Sequence, residues 1–89
     1  MNITADGTYT LKILPGRGHT LMLAGTFGGG SIALSMVDSA SLVELALPDC
    51  SAITAATGFA FDAGADTLKV VVTGSTSPDL QLIVTPMPS

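Results

Sequence analysis

The sequence predicts an all-β fold: a small antiparallel β-sandwich of about eight short strands, with jelly-roll-like or Greek-key connections. Apolar residues recur at every second position in several short runs, and clusters of Gly, Pro, Asp and Ser separate these runs at regular spacing. No segment shows the longer period of an amphipathic helix. This pattern is typical of sandwiches and small barrels. A chain of 89 residues is expected to form one domain, residues 1–89.

Two short strands open the chain. Residues 2–5 predict an edge strand that an Asp-Gly turn ends. Residues 8–14 alternate, and Tyr9, Leu11 and Ile13 share the side expected to face the core. The following Pro-Gly-Arg-Gly segment ends this strand, because proline lacks the amide donor that a ladder needs.

Residues 18–38 form the central stretch, in which two apolar runs flank three consecutive glycines, 28–30. Glycine adopts positive φ without a Cβ clash, as a tight reversal requires. Period-two residues on both sides of such a break predict a β-hairpin.

The next segments are shorter and less regular. Residues 42–47 predict a strand; a helix is the alternative, but so few residues before a proline favour the strand. Residues 48–57 fit either one helical turn or a loose connection. Residues 58–61 predict a short strand with Phe59 and Phe61 on one side.

The clearest strand covers residues 67–73, where Leu68, Val70 and Val72 are in phase and β-branched residues are frequent. After a Gly-Ser-rich turn, residues 80–85 predict the last strand.

The composition restricts the possible partners. Hydrophobic residues make up 47% of the chain and charged residues only 11%, where roughly 25% is usual. A small domain with so few charges must either present Ser, Thr and Gly to water or cover part of its surface with another subunit. A net charge of −4 with three Lys and Arg residues cannot form the basic patch that nucleic acids or anionic membranes attract. We therefore expect neither as a partner.

The expected place of synthesis is the cytoplasm. The first residues lack the apolar core of a secretion signal, and no apolar run approaches the ~20 residues of a transmembrane helix. The single cysteine, Cys50, cannot form an internal disulfide, so no oxidising compartment is needed.

Several apolar residues are out of phase with the expected core positions of their strands. A chain this small cannot bury all of them, and exposed apolar patches usually mark contacts. We expect them to meet other copies of the chain or a second protein surface. They are Leu14, Leu21, Val37, Val71 and Ile83.

The sequence offers little for catalysis or metal binding. His19 is the only histidine, and it follows a turn at a strand entrance, without obvious metal or triad partners. Asp62 and Asp66 lie four residues apart, but a calcium loop brings more oxygen ligands than this. We expect both to be turn residues, and we expect no cofactor and no metal.

The remaining candidates are weak for the same reason. Asp38 and Glu44 flank one predicted turn, but nothing nearby would separate their pKa values, so a solvated rim is expected. Cys50 follows an acid, which disfavours a thiolate, and is expected to be a small buried hydrophobe. Arg17 between two glycines is a weak candidate for an exposed contact. We therefore do not expect an enzyme.

The stretch 25–34, Gly-Thr-Phe-Gly-Gly-Gly-Ser-Ile-Ala-Leu, leads through a polar turn and a Phe-bearing strand to a closing Leu-Lys-Val-Val-Val-Thr-Gly strand. This arrangement resembles small virion proteins of tailed bacteriophages over roughly residues 8–85. In these proteins a Phe-Gly-Gly segment enters an alternating strand, and a Val-rich strand ending in Thr-Gly opens the last hairpin. Within this class, a chain of one bare β-domain looks most like a capsid decoration (cement) protein.

The resemblance implies a protein on the capsid exterior of the virion, made in the host cytoplasm, which forms a homotrimer and clamps the subunits of the major capsid protein together. The alternative is a domain of the tail, baseplate or fibre that acts as a spacer or as a receptor- or carbohydrate-binding module. Lectin-like sites usually present aromatic platforms, whereas this chain has one Tyr, three Phe and no Trp.

Overall fold

The computed structural model describes residues 1–47, 50 and 52–87, which form eight β-strands and no helix. Two four-stranded antiparallel sheets pack as a sandwich: sheet A has the order β1-β8-β3-β6 and sheet B the order β2-β7-β4-β5. The strands are β1 (Asn2–Ile3), β2 (Gly7–Lys12), β3 (Gly18–Thr26), β4 (Ser31–Val37), β5 (Glu44–Ala46), β6 (Thr57–Asp62), β7 (Thr67–Thr73) and β8 (Asp79–Pro86). The described residues include no helix that is long and apolar enough to cross a membrane.

The order of the strands is that of a jelly roll. Only β4 and β5 are both consecutive in sequence and neighbours in a sheet, and every other connection crosses from one sheet to the other. The predicted all-β sandwich is therefore confirmed, with the jelly-roll arrangement among the two topologies expected.

The predicted hairpin over residues 18–38 is wrong. Both strands form, but β3 pairs with β6 and β8 in sheet A, whereas β4 pairs with β5 and β7 in sheet B. The glycine-rich loop turns the corner between the sheets. It is held by the β7–β8 loop, where the Thr76 amide donates to the Gly28 carbonyl at 2.9 Å. Gly28 has φ +63°, and a Cβ there would collide with the Thr76 carbonyl oxygen.

The last hairpin, expected from the resemblance, is also absent, because β7 and β8 lie in different sheets. Alternation within a strand shows which side chains face inward. It does not show which strand is the neighbour, and a glycine turn serves a sheet crossing as well as a hairpin.

The core lies between the sheets and follows the predicted phases. In β7, Leu68 and Val70 are fully buried and Val72 is nearly so, which confirms the predicted alternation of this strand. In β3, Leu21 and Leu23 face the core, so the expectation that Leu21 points outward is wrong. Residues 21 and 23 share one face of the strand, and the outward position between them belongs to Met22.

Strand β5 and Ile53 lie along the same side of β4 in sheet B. β5 is a strand and not a helix, as predicted, and Ile53 forms an isolated antiparallel bridge with Ile32 of β4. The expectation for residues 48–57 falls partly on Pro48, Asp49 and Ser51, which lie outside the described residues.

Candidate interaction surfaces

The outer face of sheet A has an apolar centre. Met22 of β3 pairs with Ile83 of β8 on one side and with Gly58 of β6 on the other, so the three residues form a row across the sheet. Met22 is 53% exposed and Ile83 is 46% exposed. Because Gly58 has no side chain, the row ends in a shallow depression beside Met22.

Uncharged residues surround this centre. On one side lies the row Thr85, Thr20 and Ala60, and on the other side Gln81 pairs with Ala24. Among the described residues, carboxylates appear only at the ends of the face, where β6 ends at Asp62 and β8 begins at Asp79. Interface centres are depleted of charge and enriched in Met, so this face has the composition of a contact surface.

The outer face of sheet B is charged. Lys12 lies on β2, Lys69 on β7 and Glu44 on β5, and the Lys69 Nζ lies 3.0 Å from the Glu44 Oε1. Val37 and Val71 lie between these groups and are half-buried. This ion pair is exposed to water, so it contributes little stability, but it keeps the face hydrated.

A second apolar surface lies along β5 and the turn before it. Leu42, Val43 and Leu45 are 77%, 65% and 65% exposed. Leu42 also has φ +60°, a left-handed conformation that costs a residue with a large side chain about 1–2 kcal/mol. The Leu42 amide donates to the Asp38 carbonyl at 2.7 Å, so this conformation belongs to the turn that joins β4 to β5.

An open cleft separates β5 from β6, at the flank of the sandwich. Its larger part, about 490 Å³, is lined mainly by Met36, Leu45, Leu47, Phe59 and Phe61. We call this the β5 cleft. A further depression of about 360 Å³ adjoins it and shares Met36 and Leu45.

The five predicted contact residues do not form one patch. Ile83 is in the centre of the sheet A face, Val37 and Val71 are on the sheet B face, and Leu14 is 48% exposed in the β2–β3 loop. Leu21 is 2% exposed and belongs to the core.

Sequence reasoning missed Met22, Leu42, Val43 and Leu45. Met22 could have been found, because it lies between two in-phase leucines of a nine-residue strand. The exposure of Leu45 could not have been found from the sequence. Its side chain faces inward, opposite Met36, and it is exposed because sheet A does not cover this end of sheet B.

His19 is a structural residue in the fold. It is the second residue of β3, near the predicted strand entrance, but it is 1% exposed and its ring stacks on Phe61, with 5.5 Å between the centroids. The Leu14 amide donates to Nε2 at 3.2 Å, so Nε2 carries no proton and Nδ1 donates to the Arg17 carbonyl at 2.9 Å. Both ring nitrogens are therefore used by the backbone of the preceding loop.

The acidic residues have local roles. Asp38 accepts hydrogen bonds from the Ala40 amide and the Ser41 hydroxyl within its own turn, whereas Glu44 pairs with Lys69, so Asp38 and Glu44 do not act together. No group of three His, Cys, Asp or Glu side chains that could hold a metal ion occurs in the described part of the chain. Cys50 is 5% exposed, as expected of a small hydrophobe.

Two carboxylates join loops at opposite ends of β7. The Ser39 hydroxyl and amide donate to Asp66, and with a weaker contribution from Thr67 they lower its pKa to about 2. The Ser75 hydroxyl and amide bind Asp6 and lower the pKa of that carboxyl as well. Asp66 thereby links the β6–β7 connection to the β4–β5 turn.

Comparison with known proteins gives no assignment. No known protein family matches this chain, and no curated protein is significantly similar to it in sequence. The surfaces described above are therefore the basis on which a function can be argued.

Proposed function

We propose that this chain is a non-enzymatic virion structural protein. It binds the outer surface of a phage capsid as an oligomer, a homotrimer in the simplest form, and stabilises the shell. The observation that carries the proposal is the uncharged outer face of sheet A, with Met22 and Ile83 at its centre.

The charge of the chain favours contact through the sheet A face. A chain with a net charge of −4 is repelled by its own copies, and an uncharged face is where that repulsion costs least. Burying Met22 and Ile83 against a neighbour would gain hydrophobic free energy in proportion to the apolar area removed from water. The same face therefore supports self-association.

Cementing follows from mass action. A protein that binds the assembled shell and not its separate subunits stabilises the shell, and identical copies on one shell add avidity to a modest contact. Jelly rolls are found in viral capsid domains and also in lectins, so the fold is compatible with the proposal by analogy only.

The first experiment measures the solution mass of the purified protein by light scattering after size exclusion. A stable trimer that becomes monomeric with Met22→Asp would support the sheet A face as the contact. Binding to phage heads that lack the protein, with a higher temperature of head disruption, would support cementing. A monomer that binds no heads would contradict the proposal.

The second candidate is a tail, baseplate or fibre domain that binds carbohydrate. It is favoured by the hydroxyl and amide groups of Thr20, Thr85 and Gln81 around the apolar centre. Against it, Phe59 and Phe61 are partly buried against the core, so neither presents a fully exposed ring as a stacking platform. A glycan array separates the two: binding to a defined sugar would favour the fibre role, and head binding without sugar binding the capsid role.

A further inference from the structure

We propose that His19 is an acid-sensitive switch of the β2–β3 loop. Its neutral ring holds the loop closed, and the loop opens when the ring takes up a proton. This loop consists of residues 13–17 and carries the chain from sheet B to sheet A. The inference goes beyond the capsid proposal and is independent of it, because it concerns how the domain responds to acid and not what the domain binds.

The ring of His19 lies in a site that is closed to water. The residue is 1% exposed, and its ring stacks on Phe61 of β6 with an angle of 17° between the ring planes. Pro86 of β8 is its partner across the sheet, and Ile13 at the start of the loop is 4% exposed. A charge on this ring would lose most of its hydration, and the attraction of a cation to the Phe61 ring would recover only part of that loss.

The hydrogen bonds of the ring also require its neutral form. The Leu14 amide donates to Nε2 at 3.2 Å, and Nδ1 donates to the Arg17 carbonyl at 2.9 Å. A charged imidazole carries a proton on each nitrogen, so its Nε2–H would face the Leu14 N–H. The loop would then lose one backbone hydrogen bond and leave two donors without an acceptor. The bond to the Arg17 carbonyl survives in either state, so the conflict is confined to Leu14.

Backbone hydrogen bonds to the β6–β7 connection limit how far the change extends. The Ile13 amide donates to the Asp66 carbonyl at 3.0 Å, and the Gly16 amide donates to the Ala63 carbonyl at 2.8 Å. Neither bond involves the His19 ring. We therefore expect protonation to open the segment around Leu14 and not to unfold the domain. Because Leu14 is 48% exposed, the opening would change an apolar part of the surface.

The charged groups of the surrounding elements are directed elsewhere. Asp62 of β6 lies beside Gly18 on the outer face of sheet A, and Lys12 of β2 lies on the outer face of sheet B. The Asp66 carboxylate is bonded within its own connection and to the β4–β5 turn. Arg17 meets the ring through its carbonyl, and residues 80–86 of β8 include no charged side chain. The backbone partners of the ring thus determine its response.

The expected response lies in a pH range of its own. A free imidazole takes up its proton near pH ~6.5. If only the open loop accepts this proton, the closed loop is favoured above that pH and is lost progressively below it. Well below pH ~6.5, the equilibrium should shift toward the open loop by roughly tenfold for each pH unit. Asp66 has a pKa of about 2, so its contribution is lost at much lower pH.

The test is an NMR titration of the full chain from about pH 7.5 to about pH 4.5. His19 is the only histidine, so every imidazole signal belongs to it. At the upper pH we expect the neutral tautomer with its proton on Nδ1. Protonation of the ring and loss of protection of the Leu14 amide from hydrogen exchange, corrected for intrinsic exchange rates, should share one midpoint. The amides of β7 should stay protected throughout, because the opening is local.

Two variants identify the group that is responsible. The side-chain oxygen of His19→Gln can accept from the Leu14 amide and does not titrate. Protection of that amide should therefore be independent of pH in this range, even if the lost stacking lowers the overall stability. Asp66→Asn is the matched control, since it removes another titrating group at the same end of the molecule. It should leave the midpoint of the Leu14 amide unchanged. If His19→Gln does not fold, the titration of the parent protein alone decides.

Four results would overturn the proposal. The first is a protonated ring beside a Leu14 amide that stays protected, and the second is a neutral ring in a closed loop down to about pH 4.5. The third is a proton on Nε2 at the upper pH. The fourth is a simultaneous loss of protection in β7, which would show global unfolding. Head binding at neutral pH tests the capsid proposal alone, so either proposal can fail without the other.

Discussion

The outer faces of the two sheets differ in charge although both are built from four antiparallel strands. The face of sheet B carries Lys12, Lys69 and Glu44, whereas the interior of the sheet A face carries hydroxyl, amide and apolar side chains. Within one small domain, few charges are thus concentrated on one side. The difference makes the sheet B face the more hydrated of the two, and the contact of the sheet A face with another protein is the proposal that the following variants test.

The largest expected loss of stability comes from a charge on the inner side of β7, and the outer side of the same strand provides the control. Val70→Asp should prevent folding, with a loss of roughly 4 kcal/mol or more, because Val70 is fully buried and its replacement would be an unpaired charge in the core. Val71→Asp on the outer face of the same strand is the control and should keep the β-sheet spectrum. Circular dichroism with urea unfolding measures both, and equal destabilisation would contradict the assigned phase of β7.

The connection between the sheets gives the next effect. Gly28→Ala should destabilise the protein by about 3 kcal/mol, because its Cβ would meet the Thr76 backbone at a positive φ. Gly29→Ala, which also has a positive φ but has no atom within 4 Å of its Cβ, should cost about 1 kcal/mol. Urea unfolding midpoints measure both losses. The difference between the two variants gives the cost of the collision, because Gly29→Ala carries only the conformational cost. Equal losses would show that the two loops do not pack together.

Acid should weaken the loop link made by Asp66. Its pKa is about 2 in the folded protein and 3.8 in the unfolded chain, so its contribution is present above pH 4 and is lost as the pH falls toward 2. Asp66→Asn should flatten this part of the pH dependence of the unfolding free energy. A variant that follows the parent curve would show that other carboxylates determine the acid response.

The smallest effect on stability tests which face makes contacts. Ile83→Asp and Val71→Asp should each change the unfolding free energy by less than about 1 kcal/mol. The sequence led us to expect that both would disrupt association. With the sheet faces assigned, Ile83→Asp should dissociate the proposed oligomer and Val71→Asp should not. Light scattering gives the answer, and the opposite result would assign the interface to sheet B.

The candidate surfaces could be predicted only in part. Ile83 was found because its strand alternates cleanly, and Met22 was available to the same reasoning. Leu21 was misassigned by one position, which in a strand exchanges the buried face for the exposed one. Leu45 has the phase of a core residue, but it is exposed because β6 of the other sheet does not cover it. The pattern of its own strand contains no information about that coverage.

The sequence by itself determined the all-β class and the location and phase of most strands, since alternation is a local property of the chain. The tertiary structure alone decided that 18–38 spans two sheets, that His19 is buried against Phe61, and that β5 pairs with β4 alone in the described part of the chain. These features depend on contacts between residues distant in sequence. The physical reason is that strand pairing and burial depend on how all the strands are arranged in the two sheets. A local sequence pattern carries no information about that arrangement.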